Sequence, residues 1–469
     1  MSARTAPVRT RTGGARERAA EALVRVESDD GYAAAVLDAS CERTPALAPV
    51  DRGLLTQLVY GVLRSAPALD ARLQRHATRA GSIAKLDVYA RTVLRLAAYQ
   101  IVALERVPVH AAVNAAVESL KRDRSPGLAS FANALLRKLA TERREGETEA
   151  AREELAMQSV PGTIVNEIAD VVGGEPEARR VLRAMLGSTP VSCVRVDPER
   201  VGREALAAAL REERPNAVIE SGSLSPWALR VSGGGDLRAT RAWREGRFTL
   251  QEEGAQCVAL MADVREGQSV LDVCAGRGGK TGMLAGMLRG RGTLHAAELY
   301  PEKVRQLDEE MTRLGVRASG LAFASAAVDV TRGWGALERA RPAGGYDAVL
   351  LDAPCSGLGT LGRRPEIALR WAKRAASERE GVRELQARLL DTVATRVRVG
   401  GVLVYAVCAL AAGEGVEQAA AFRARHPGWV LAEGSAEVPE RLRVATVMLR
   451  PDRDGTDGFV MVRMRRESA

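Results

Sequence analysis

The sequence is poor in the residues that build metal centres and disulfide frameworks. Its four histidines (His76, His110, His295, His426) lie far apart, and its six cysteines (Cys41, Cys193, Cys257, Cys274, Cys355, Cys408) form no CxxC pair. Neither set has zinc-site spacing, and scattered thiols argue against a disulfide scaffold, so no metal is expected. Aromatic residues make up only 4%. No apolar run approaches the roughly 20 residues of a membrane span; the nearest, Val402 to Ala412, is far too short. The opening MSARTAPVRTRTGGARER is basic without an apolar core, unlike a secretory signal. A cytoplasmic location without membrane contact is therefore expected, with a monomer as the default.

What is present is a globular composition, 46% hydrophobic and 27% charged, over 469 residues. That length predicts several domains. Lys and Arg number 68 against 59 Asp and Glu, a net charge of +9 that suits a polyanionic partner. Residues 1–150 carry 23 of the basic and 17 of the acidic residues, so most of the surplus lies in the first third.

After a flexible arm over residues 1–14, residues 15–142 read as helices only. Arg16 to Val26, Tyr32 to Cys41, Asp51 to Arg64, Lys85 to Leu104, His110 to Lys121 and Ala129 to Ala140 all carry apolar residues at helical spacing. Leu54, Leu58 and Val62 beside Leu55, Val59 and Leu63 form one broad stripe for a bundle core. Residues 143–160 are charged and read as a linker helix or solvated hinge. Residues 161–249 alternate short strands with a helix, a small α+β, RRM-like subdomain with two readings, packing element or RNA-facing shelf. From residue 250 to 469, strands and helices alternate as in a doubly wound α/β sheet, and Phe459 to Arg466 is expected to close the sheet edge.

Two stretches of this last region concentrate the chemistry. Ala348 to Leu351 reads as a doubly buried strand that places Asp352 and Cys355 just past its carboxyl end, and Val402 to Val407 delivers Cys408 to a similar position. Ligands bind at such ends in open α/β sheets. Either thiol alone is more often a small buried hydrophobe. Two thiols and a carboxylate aimed at one crevice suggest more.

An earlier strand, Ser269 to Val273, runs into CAGRGGKT. A P-loop would need Gly where Cys274 stands, and a dinucleotide fingerprint would need its third Gly where Thr281 stands. The loop is then either a tight turn or a cradle for S-adenosylmethionine. The ordered acids that follow favour the cradle. Glu298 ends the next strand, where a carboxylate can accept from ribose hydroxyls; Asp329 is placed toward the adenine; Asp352 completes the set.

The words DRGLLTQLVYGVLR (Asp51 to Arg64), VPVHAAVNAAVESLK (Val107 to Lys121) and FANALLRKL (Phe131 to Leu139) resemble the NusB-type helical RNA-binding domain. LDVCAGRGGKT, DAPCSGLGTLGRRPE and YAVCAL resemble the RNA 5-methylcytosine methyltransferases of the RsmB/Fmu type, within the wider Sun family. GRFTLQEEGAQ (Gly246 to Gln256) and PDRDGTDGFVMVRMRR (Pro451 to Arg466) match the same family's lead-in and terminal strand. The resemblance implies a class I, Rossmann-like methyltransferase domain that takes a methyl group from S-adenosylmethionine and places it on carbon 5 of a cytosine in small-subunit, 16S rRNA.

Carbon 5 of cytosine is a weak nucleophile, and a thiolate adding at carbon 6 activates it. By resemblance Cys408 is that nucleophile, Asp352 holds the ring N3 and amino edge, and Cys355 assists loss of the carbon 5 proton. Cys274, Ala275, Gly276, Arg277, Gly278, Gly279 and Lys280 would hold the methionine end of the cofactor. Arg363 and Arg364 are either phosphate contacts or a solvated basic turn.

The chain departs from the family pattern in three places. Gly276-Arg277 replaces an Ala-Pro pair in the glycine loop, Val407-Cys408-Ala409 replaces Thr-Cys-Ser, and the acidic and amide pattern after Cys408 is thinned, with Gly415 following Glu414. The second departure motivates a competing reading, a ribosomal RNA-binding or assembly factor on a scaffold without turnover. A small-molecule methyltransferase is a third, disfavoured by the basic helical front.

Overall fold

The computed structural model describes residues 14–29, 31–42, 47–143, 146, 148–187 and 191–468. Residues 1–13, nearly all of the expected arm, lie outside them. The chain forms two compact units. The first comprises Met1–Val165 with Leu182–Thr189 and Leu361–Lys373; the second comprises Asn166–Val181, Pro190–Thr360 and Arg374–Ala469.

The first unit is a helical bundle. Its helices span Ala15–Ser28, Ala33–Glu42, Pro49–His76, Val88–Ala103, Val109–Asp123, Pro126–Leu139 and Thr148–Gln158. The stripe expected on the third helix is its buried face: Leu55, Leu58, Val59, Val62 and Leu63 all sit in the core. That helix runs 12 residues beyond the expected Arg64, straight through Pro67. Proline leaves a gap in helix bonding, and the freed Ala68 N–H donates instead to the buried Ser159 hydroxyl at 3.1 Å.

Ser159 lies in the stretch read as a linker. Of the two readings of that stretch, linker helix or solvated hinge, the structure has a helix, Thr148–Gln158, and its Leu155 is fully buried in the bundle core. Two adjacent apolar positions, Leu155 and Ala156, amid charges are a weak signal in sequence, yet both are buried.

A close approach within the bundle yields a first expectation. A methyl group on Gly61 would collide with the ring of Tyr99, itself buried. Gly61→Ala gains about 1 kcal/mol of helix propensity but meets an overpacking cost of roughly 1–3 kcal/mol. A lowered denaturation midpoint of the isolated chain, with Gly53→Ala as the open-space control, is the expected result.

In the second unit a small sheet comes first. Its strands are β1 (Ser192–Val196), β2 (Val218–Ser221), β3 (Ala228–Ser232) and β4 (Phe248–Leu250), all antiparallel in the order β2-β3-β1-β4. With the helix Arg203–Glu213 between β1 and β2 and a short helical turn before β4, this is the RRM-like βαββαβ order. Val194, Val196, Leu206, Leu210, Leu229 and Phe248 form its core. The opposite face of β1 is also covered: Cys193 and Arg195 are buried, and Arg195 donates to Gln251 at 2.8 Å. At β1 the sheet is therefore a packing element on both sides.

The large sheet contains β5 (Ser269–Val273), β6 (Thr293–Glu298), β7 (Ala322–Ala327), β8 (Tyr346–Asp352), β9 (Val397–Val407), β10 (Trp429–Leu431), β11 (Thr446–Leu449) and β12 (Phe459–Arg466). Their order is β10-β12-β9-β8-β5-β6-β7, with β11 also on β12. Strands β5 to β9 pair in parallel, and β12 runs antiparallel to β9. The expectation that Phe459 to Arg466 closes the sheet edge is corrected. Its far side is covered by β11 along Phe459–Val462 and by β10 along Met464–Arg466, in keeping with a strand buried on both faces from Phe459 to Met464. The chain proceeds outward from β5 through β6 to β7, then returns to β8 on the other side of β5. That reversal creates the crevice at the carboxyl ends of β5 and β8.

Candidate active site at the ends of β5, β8 and β9

The loop after β5 has an unusual backbone. Cys274, Gly276 and Gly278 all take positive φ, at 61°, 60° and 87°. Gly278 stands at the start of the helix Gly279–Leu288, and a methyl group there would press on Leu307 and Met311. At Gly276 the corresponding space is open, and its N–H donates to the buried Glu298 carboxylate at 2.9 Å. Glu298 also accepts from Tyr300 N–H at 3.2 Å, with Lys303 Nζ at 3.4 Å. Leu299 and Tyr300 stand half exposed next to it. Farther along, the Asp329 carboxylate accepts from the Thr331 hydroxyl and N–H, bonds that hold it below the usual carboxylate range. An open cradle over glycine, an acid at a strand end and an apolar shelf fit a nucleoside bearing an amino-acid arm. Arg277, in place of the family's proline, is exposed.

Beneath the loop, Asp272 is fully buried and accepts from the Thr281 hydroxyl at 2.6 Å. Burial pushes its carboxyl up to about 7. An acid raised in the fold binds its proton there more tightly than in the unfolded chain, so stability falls as pH rises from about 4 to about 7. Asp272→Asn keeps an acceptor for Thr281 and should flatten that dependence, which pH-resolved urea titrations would read.

Lys280 does not simply face the loop. Its ammonium donates to Asp352 Oδ2 at 2.7 Å, tying the β5 loop to the end of β8. Burial disfavours this ammonium, but the charge and hydrogen bond of Asp352 outweigh it, and a negative charge at Cys408 adds to them.

The two thiols meet. Strands β8 and β9 pair with Asp352 opposite Ala406, and the chain beyond each brings Cys355 Sγ to 3.3 Å from Cys408 Sγ. The hydrogen bond to Cys408, followed by burial, pushes the Cys355 thiol well above its ordinary range, with the charges of Glu414 and Asp352 adding to the effect. Cys274 is kept protonated as well, mainly by burial. The flanking Val407 and Ala409 are fully buried, so the apolar residues that replace the family's hydroxyls pack into the core.

Arg363 and Arg364 lie in the 361–373 segment, expected as part of the cofactor domain but belonging to the helical unit. Glu366 accepts from Ala33 N–H at 3.4 Å, Arg370 donates to Gly31 O at 2.7 Å, and Leu369 packs on the bundle core. The Arg364 guanidinium lies over the Tyr32 ring at 4.6 Å. Both arginines are half-buried, unlike a solvated turn. Among the described residues no helix is long and apolar enough to cross a membrane. Sequence reasoning did not single out Asp272, Thr281 or Gln386 as site residues, and it noted Glu414 only as a remnant of a thinned motif.

Known proteins match this arrangement. Residues 259–465 match the family described as 16S rRNA methyltransferase RsmB/F, and residues 14–141 match the NusB family. A probable ribosomal RNA small subunit methyltransferase B of Bacillus subtilis is 30% identical over 464 residues, covering 96% of this chain and 98% of its own. The chain belongs to the RsmB/F family. Members of this family are S-adenosylmethionine-dependent methyltransferases of small-subunit rRNA. Among solved structures, PH0851 superposes with a TM-score of 0.79 at 20% identity, covering 97% of this chain and all of its own. NSun6 from Pyrococcus horikoshii, solved with SFG, superposes with a TM-score of 0.56 at 19% identity, covering 67% of this chain and all of its own. The helical NusB domain, the mixed α/β domain and the parallel-dominated sheet expected from the sequence are thus those of the RsmB/F fold.

Proposed function

We propose that this RsmB/F-family chain methylates carbon 5 of a cytosine in 16S rRNA through a covalent adduct with Cys408. The observation that carries the reading is the 3.3 Å approach of Cys355 and Cys408 beside the Lys280–Asp352 pair. Glu298 would accept the ribose hydroxyls, Asp329 would face the adenine, and the Cys274–Gly279 backbone with Lys280 would hold the methionine arm; SFG in the NSun6 structure supports an S-adenosyl ligand. S-adenosylmethionine, when bound, supplies an electrophilic methyl group. Arg363 and Arg364 would contact phosphates of the RNA.

The residues then divide the work. Cys408 Sγ, as a thiolate beside Lys280, bonds to carbon 6, the displaced ring electrons take up a proton from solvent at N3, and the resulting N3–H and the amino group donate to the Asp352 carboxylate. Carbon 5 becomes nucleophilic. Once Cys408 is bonded to carbon, the leading cause of Cys355's high proton affinity is gone. Cys355 then loses its proton to solvent, takes the proton from carbon 5, and the carbon 5–hydrogen electrons form the ring double bond as the carbon 6–sulfur pair returns to Cys408.

The test is transfer of labelled methyl into protein-free small-subunit rRNA lacking the modification, with the labelled nucleoside identified. Incorporation as 5-methylcytidine by wild type and none by Cys408→Ala supports the reading. Binding of RNA without transfer by either protein points instead to the assembly-factor reading.

A further inference from the structure

We propose that Glu414 and Gln386 are positioning residues that hold Cys355 against Cys408 and thereby govern release of the methylated product. The inference deepens the covalent reading above and rests on it. It starts from the two residues flanking Cys355. The carbonyl of Pro354 accepts from Gln386 Nε2 at 2.9 Å, and the N–H of Ser356 donates to Glu414 Oε2 at 2.8 Å. Gln386 Nε2 also donates to that same oxygen at 3.3 Å. The backbone on both sides of the thiol is therefore held by one carboxamide–carboxylate pair.

This pair is buried and comes from outside the strands that carry the thiols. Gln386 is fully buried in the helix Ala376–Ala394, and Glu414 is 4% exposed in the loop after β9. The loop is itself anchored. Tyr405 Oη donates to the Glu414 carbonyl at 2.6 Å, and Arg383, one turn before Gln386, donates to the Ala412 carbonyl at 2.7 Å. A buried carboxylate is costly unless donors satisfy it, and the donors to Glu414 Oε2 are those that fix the Cys355 loop. Gly359 N–H donates to the Cys408 carbonyl at 3.0 Å, which ties the far end of that loop to the second thiol.

The geometry assigns these residues to the later half of the reaction. Cys408 directly follows β9, which is held by its pairing with β8 and β12. Cys355 sits on an irregular loop and depends on Glu414's carboxylate. Loosening the clamp should leave addition at carbon 6 and methyl transfer intact while displacing the group that accepts the carbon 5 proton. An ångström-scale displacement of such a group costs on the order of 10²-fold.

The experiment compares Glu414→Ala, Gln386→Ala and Glu414→Gln with wild type and Cys355→Ala. It reads single-turnover methyl incorporation, multiple turnover, the fraction of protein attached to RNA after denaturation, and the thermal midpoint. Glu414→Ala and Gln386→Ala should keep single-turnover transfer, accumulate attached RNA and lose multiple turnover by about 10²-fold. Glu414→Gln, whose amide oxygen still accepts from Ser356, should recover most of it. If single and multiple turnover fall together in step with the folded fraction, without attached RNA, the residues are structural and the proposal is overturned. If Cys355→Ala accumulates no attached RNA, the covalent reading fails and the proposal with it; if it does and the clamp variants do not, the positioning role alone fails.

Discussion

Cys408→Ala should abolish methyl transfer, and Cys355→Ala should stop the protein with RNA covalently attached. The two thiols are 3.3 Å apart, and the proposed mechanism gives them opposite duties. The hydrogen bond to Cys408, burial and nearby acids raise the proton affinity of the Cys355 thiol. In the proposed mechanism Cys408, which interacts with the Lys280 ammonium, is the thiol that adds to carbon 6. Loss of a covalent nucleophile costs roughly 10³-fold or more, and no side chain can substitute for the carbon–sulfur bond. Loss of Cys355 leaves that bond formed and the carbon 5 proton in place. A denaturing gel of labelled RNA with each variant checks both outcomes, the attached species appearing with Cys355→Ala and disappearing in the double variant. Equal turnover by Cys408→Ala and wild type would sink the assignment.

Lys280→Met and Asp352→Asn should each lower methyl transfer by about 10²-fold or more and should be strongly non-additive. The pair is mostly shielded, with the side chains 14% and 27% exposed, and it bridges the glycine loop after β5 and the end of β8, the strand end proposed to face the base. Lys280→Met leaves a shielded carboxylate without its cation, a loss of about 3–5 kcal/mol for a fully buried pair and less for this partly wetted one. Asp352→Asn leaves the ammonium with a neutral acceptor, a milder change for stability. The double variant should therefore recover part of the stability lost by Lys280→Met, a coupling of about 0.5–3 kcal/mol readable from urea midpoints. The raised proton affinity of Lys280 means the pair is present at neutral pH and is lost only as pH rises through the ammonium's elevated range, above about 10.4. A transfer rate that falls by the product of the two single losses would show that the residues act separately.

The periodic elements were legible because their signals are local. The stripe from Leu54 to Leu63 predicted the bundle helix, and the apolar runs before Asp352 and Cys408 predicted doubly buried strands. What went unread depended on partners distant in the chain. Pro67 looks like a stop, and the helix continues because Ser159, 92 positions later, has a hydroxyl for Ala68. The 143–160 stretch reads as a linker helix or solvated hinge, and its buried Leu155, Ala156 and Ser159 dock it on the bundle. Phe459 to Arg466 looks like an edge, and β10 and β11 cover it end to end.

The same division holds at the site. By itself the sequence determined which groups exist and which strand end carries each: the glycine loop after β5, Glu298 at the end of β6, Asp352 and Cys355 at the end of β8, Cys408 after β9. Residue type and strand periodicity are properties of short windows. Only the tertiary structure decided that Lys280 pairs with Asp352, that the two thiols touch, and that Glu414 and Gln386 clamp the loop between them. Those facts depend on strand order and register, in which residues 28 to 72 positions apart become neighbours, and a one-dimensional pattern does not encode which of many compatible neighbours the fold selects.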